Sequence, residues 1–155
     1  MSIRTEIAIA VKNHLDVGVN AGLFGNDVVT LRAYVPIRDL QSQTHTYMTV
    51  IGRSFEPAPA ARGYHQREVG IDVAVQKKIA ASPGSESYIN EIDDMGDVVE
   101  AVINHFEDKP LSDIPQLKCS AVSNNPIYVY EALRDAGMFV SVVRLTYVAH
   151  VRSEA

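Results

Sequence analysis

Five histidines, a single cysteine, a run of carboxylates and a handful of arginines are the residues of this chain whose chemistry could serve a function. His14, His45, His65, His105 and His150 are scattered, with no pair four residues apart on a helix and no cysteine companion, so their spacing does not describe a zinc site. Each reads as a surface residue or a hydrogen-bonded core residue. Cys119 is the only cysteine, which excludes an intramolecular disulfide and fits a buried, inert thiol in a reducing compartment. Cys119 and Ser141 lie in apolar, strand-like surroundings without an identifiable base, so nucleophilic catalysis has no support. Asp93, Asp94, Asp97 and Glu100 are the densest carboxylates and could offer oxygen ligands to a hard cation, but a solvated helix face explains them as well. No metal or cofactor is expected.

Two further groups could act at a surface or a site. Arg53, Arg62 and Arg67 flank the proline-containing segment Glu56 to Gly63 (EPAPAARG), where they could pair with acids on another subunit. Asp72 and His65 are the remaining acid and base, and no paired arrangement within reach of one another can be assigned to them. Gly18, Gly22 and Gly25 lack the lysine-serine ending of a phosphate loop and follow no strand. The net charge of −5 concentrates acid between Glu86 and Glu107 and leaves the bases single, a pattern that repels nucleic acid phosphates. No apolar run is long enough for a membrane span, and the N-terminus is too charged for a signal core, so the protein is expected to stay in the compartment where it is made.

The elements that must hold these residues follow from periodicity. A chain of 155 residues fits one domain. From Tyr64 to Ile79 the apolar residues Val69, Ile71, Val73 and Val75 alternate with Glu68, Gly70, Asp72, Ala74 and Gln76, which predicts a strand with one face to the core and the other to water or a neighbour. Ser2 to Leu15 carries Ile3, Ile7, Ala10, Val11 and Leu15 at helical spacing, with Ser2 as N-cap and Gly18 as the first breaker. Strands are predicted for Val28 to Val35 and Thr44 to Phe55, joined by a polar connection from Arg38 to Gln43. Glu56 to Gly63 reads as an extended loop because its prolines cannot sustain a central strand.

Ser82 to Ser85 breaks the chain before the main core helix, Tyr88 to Phe106, for which Ser85 or Ser87 would be the cap. Pro110 to Asn125 is irregular apart from a short strand at Leu117 to Val122, and Phe139 to Val151 is a long central strand after the Asp135-Ala136-Gly137 turn. The sum is an α+β fold: a mostly antiparallel sheet of about four main strands, helices on one face, and the order helix, strand, strand, strand, helix, strand.

Two segments carry a resemblance. Asp135 to Val148 (DAGMFVSVVRLTYV), in which a short turn precedes an aromatic residue and then a Leu-Thr-Tyr run, is similar to the final strand of the tail terminator, or tail completion, proteins of long-tailed bacteriophages. Arg62-Gly63 with Val69 to Lys78 resembles the long hairpin strand of such proteins, and the element order agrees. The resemblance implies a structural virion protein without catalytic residues. It would close the end of the tail tube as a ring, commonly six-fold, and offer a surface to the head connector or stopper protein. Its partners would be copies of itself, the tail tube protein and the connector, at the head-tail junction of the virion, after assembly in the host cytoplasm. DNA would pass through the lumen without specific binding, as an acidic inner surface permits. The interface residues expected on this reading are Arg53, Glu56, Pro57, Pro59, Arg62 and Arg67. Another neck component, a head-completion or stopper protein, is the alternative, and a small α+β enzyme using Asp72, His65 or the acidic helix is a more distant one.

Overall fold

The computed structural model describes residues 1–37, 45–58 and 63–152. Among these the chain forms α1 (Ile3–Asn20), β1 (Val28–Ala33), β2 (Thr46–Ala58), β3 (Tyr64–Lys78), α2 (Glu86–Phe106), β4 (Cys119–Ser123), α3 (Tyr130–Ala136) and β5 (Met138–Arg152). The strands make one sheet in the order β1-β2-β3-β5-β4. Every neighbouring pair is antiparallel except β1 and β2, which run parallel from Val28↔Thr46 to Ala33↔Ile51. The α+β plan with helices over one face is therefore present; β4 is the short strand expected between Leu117 and Val122, and α3 is a helix that was not expected.

The core lies between that face and the helices. Val69, Ile71, Val73 and Val75 of β3 are fully buried, and their partners across the ladder, Tyr147, Leu145, Val143 and Ser141 of β5, point to the same side. Onto them pack Ile7, Val11 and Leu15 of α1 and Met95, Val99, Val102 and Phe106 of α2. Burial of fully enclosed apolar side chains contributes roughly 1.5–3 kcal/mol each, so this layer dominates the stability of the fold. Ser2 and Ser85 cap α1 and α2 by accepting from the backbone N–H of Thr5 and Tyr88.

Several expectations are corrected. α1 does not end at Leu15 but runs to Asn20, with Gly18 inside it. A Cβ at Gly18 would stand 2.7 Å from the ring of the buried Phe24, so this glycine admits an aromatic ring against the helix and does not break it. The segment from Glu56 is not loop from its first residue. The β2–β3 ladder continues through Glu56↔Glu68, Pro57↔Arg67 and Ala58↔Gln66. β1 ends opposite Ile51, so beyond that point β2 has no strand neighbour on its outer side among the described residues, and Pro57 costs no hydrogen bond to a third strand among them.

The reverse face of β3 is also less open than alternation implies. Gly70, Ala74 and Gln76 are buried. The Gln76 amide donates to the Ile37 carbonyl at 2.7 Å and accepts from the Ile37 N–H at 3.1 Å, because Ile37, just after β1, lies against this face. The expected polar connection, Arg38 to Gln43, lies outside the described residues. Tyr130–Ala136, unassigned by periodicity, is helical and ends at Gly137 in the left-handed region, φ 61°, which turns the chain into β5.

Candidate subunit interface

The long β2–β3 hairpin extends past the end of β1, and its outer half carries the residues expected at an interface. Arg53 is the extra residue of a bulge between Gly52 and Ser54 on β2. A bulge re-aims its side chain, and Arg53 reaches along the reverse face to Asp72 of β3, with Nε 2.7 Å from Oδ1. The path of the guanidinium crosses Gly70, where a Cβ would stand 2.6 Å from Nη2 of Arg53 and 2.4 Å from Oγ of Ser54. Arg53 is thus held inside its own subunit, by an acid that periodicity placed on the polar face without a partner.

Glu56 is exposed and stands directly opposite Glu68, two like charges that disfavour the pair and would welcome an incoming cation. Pro57 faces Arg67, whose Nη1 donates to the carbonyl of Gln66 at 3.0 Å. Pro59 and Arg62 lie outside the described residues. Phe55, on the helix side of the hairpin opposite Val69, is an exposed aromatic.

A second feature was not anticipated from the sequence. Between the first turns of α1 and the outer part of β1, β2 and β3 lies a cleft of about 380 Å³. Arg4, Thr5 and Ala8 of α1 form one wall, Arg32 and Tyr34 of the β1 side form the other, and Gly52, Phe55, Val69 and Ile71 are among its remaining lining. Arg32 sits 5.9 Å from the centroid of the Tyr34 ring. Neither Arg4 nor Arg32 has a carboxylate partner among the described residues. A Cβ at Gly52 would meet nothing within 4 Å, so the cleft reaches down to bare backbone. The two arginines are 28 positions apart and come together only because α1 lies over β1, which no spacing rule reveals.

The other reactive groups are occupied structurally. His14 and His105 stack at 4.2 Å between α1 and α2. Cys119 is buried, and burial pushes its thiol up, so it is not a nucleophile poised for attack. His65 and Asp72 are seven residues apart on β3, roughly 23 Å along an extended strand and on opposite faces, so they cannot act as an acid–base pair. Asp93, Asp94, Asp97 and Glu100 are exposed on α2 without an ion-pair partner among the described residues, and no cluster of metal-ligating side chains is formed among those residues.

No family model and no curated protein matches this chain. Solved structures do. A chain of the virion of a native gene transfer agent particle is similar with a TM-score of 0.50 and 18% sequence identity, over 94% of this chain and 94% of that one. At that identity the likeness is one of fold, and it spans both chains from end to end.

Proposed function

We propose that this protein is a structural component of a phage-type virion, a tail terminator that forms a ring on the end of the tail tube, ends its polymerisation and presents a surface for head joining. The observation that carries the reading is the end-to-end likeness of fold to a chain whose own context is a virion particle. The tail-terminator resemblance of Asp135 to Val148 and of the β3 segment narrows it to the tube end. The molecule supports the same role physically. A closed ring needs two different surfaces on each subunit, and the outer part of the β2–β3 ladder carries Glu56, Pro57 and Arg67 outside the core.

The test is direct. Purified protein, alone and mixed with tail tubes, is examined by light scattering and negative-stain electron microscopy. Rings, free or seated on tube ends, are the expected result. A chain that stays monomeric and never caps tubes sinks the proposal, and a chain that decorates portal complexes while leaving tube ends bare is a stopper instead.

A further inference from the structure

We infer that the cleft between Arg4 and Arg32 receives the acidic outer face of α2 from a second copy of this chain, making the head-to-tail contact of the assembly. The inference rests on the ring reading above for the closure of the assembly; the contact itself is argued from charge and placement.

The cationic cleft and the acidic stripe of α2 lie over different halves of the sheet. α1 covers the half that contains β1 and β2, and α2 covers the half that contains β5 and β4. The cleft lies at the first half and is lined by Arg4 and Arg32, two cations without a carboxylate partner among the described residues. The second half carries the converse. Met95, Val99, Val102 and Phe106 of α2 face the core, so Asp93, Asp97 and Glu100, which recur on the opposite stripe, face out. Asp93 and Asp97 are four residues apart, a like-charge spacing that disfavours the isolated helix. Within one subunit the two surfaces lie over opposite halves of the sheet, whereas a neighbouring copy can bring them together. Such a contact joins different patches of identical chains, so it is heterologous and propagates until a rotation closes it.

The cleft also suits side chains from a helix rather than a flat surface. It is recessed to the backbone at Gly52, and its polar lining includes guanidinium forks, which bind carboxylates in bidentate fashion. Asp93 to Glu100 spans about 10 Å of helix, so the stripe offers more than one carboxylate to the cleft.

Sedimentation velocity at low and high salt tests the contact with four chains: wild type, Arg4→Glu/Arg32→Glu, Asp93→Lys/Asp97→Lys, and the chain with all four changes. All altered positions are exposed, and circular dichroism confirms that each chain is folded. Wild type is expected to assemble, less so as salt rises. Each double variant should need at least about tenfold more protein to assemble. An equimolar mixture of the two should assemble again, because in alternating order the intact cleft of one chain meets the intact helix face of the other and the two reversed surfaces meet each other, which an even-numbered ring can close. The fourfold variant, in which both charges are inverted, should assemble again. Gly52→Leu, which fills the cleft without touching charge, should weaken assembly as the arginine variant does.

Double variants that assemble like wild type, or a folded fourfold variant that does not, overturn the contact while leaving the ring intact. A wild type that remains monomeric and uncapping under all conditions overturns both readings. Binding of a short DNA duplex that disappears in Arg4→Glu/Arg32→Glu reassigns the cleft to phosphates and likewise overturns the contact.

Discussion

His14 and His105 each donate an Nε2–H to the other's backbone carbonyl, at 3.0 and 2.7 Å, while their rings stack at 4.2 Å across the junction of α1 and α2. A carbonyl accepts only, so both rings carry a proton on Nε2. Nδ1 of His14 lies 2.8 Å from the Ser112 hydroxyl, which can donate to it. Burial lowers the pKa of His105, and the adjacent His14 and Lys109 lower it further, against a raising contribution from the His14 carbonyl.

The sign of the pH effect follows. A histidine with a depressed folded pKa binds fewer protons when folded than when unfolded, so its contribution is present above its ordinary value and is lost as pH falls through that value. Thermal denaturation should show stability level above about pH 7 and falling below about pH 6.5, before the carboxylates titrate. His105→Gln, which retains an amide donor for the His14 carbonyl, should flatten the decline in that window. An unchanged slope in the variant would show that other groups carry it.

Two glycines of helices separate packing from propensity. At Gly18 a methyl group would stand 2.7 Å from the Phe24 ring and 3.0 Å from Nε2 of His105. Gly18→Ala should therefore destabilise by about 1–3 kcal/mol despite the better helix propensity of alanine. At Gly96 the same methyl meets nothing within 4 Å, and Gly96→Ala should stabilise by about 0.5–1 kcal/mol. Urea denaturation of the two variants reads both effects, and equal shifts would mean that the Phe24 ring yields freely.

The ion pair between Arg53 and Asp72 depends on the bare backbone of Gly70. Their side chains are partly exposed, so a double-mutant cycle should give a coupling of no more than about 1 kcal/mol. In a Gly70→Ala background the guanidinium is displaced, and the coupling should fall to about zero. Persistence of the coupling there would place the arginine on a different path.

Tyr147 is fully buried, and its hydroxyl makes no hydrogen bond of acceptable geometry among the described residues. The thiol of Cys119 beside it donates to the Ala121 carbonyl at 3.3 Å. Desolvation pushes the phenol well above its ordinary pKa, with Cys119 adding to the rise. Removing an unsatisfied buried donor relieves its desolvation. Tyr147→Phe is expected to match the wild type or to gain up to about 1 kcal/mol in chemical denaturation; a loss above about 1 kcal/mol would reveal a partner for the hydroxyl.

On the hairpin, Glu56→Ala/Arg67→Ala removes two side chains that contribute little to the core. Stability should change by less than about 0.5 kcal/mol, whereas capping of tail tubes should be lost if the arm meets a neighbour or the tube. Retained capping would remove the hairpin from the interface.

The alternation of Val69, Ile71, Val73 and Val75, the apolar stripe of α2 and the serine caps were legible from the chain alone, because each depends on residues within a turn or a few positions along a strand. The same local rules stated that β1 and β2 exist, yet not that they run parallel, since period two is blind to the direction of a partner. They misread Gly18 as a breaker because the reason for it, Phe24, acts through space. They also missed α3, whose seven residues, about two turns, include no buried one to mark a period.

Sequence by itself determined an α+β domain, its core-facing residues and a hairpin with polar residues beyond the core. Only the tertiary structure decided that Arg53 is tied to Asp72, that His14 meets His105, and that Arg4 and Arg32 converge on one cleft while the acids of α2 face out over the other half of the sheet. Periodicity reports which face of an element is buried; the sign and partner of a charge depend on residues brought together from distant positions by the packing of that face.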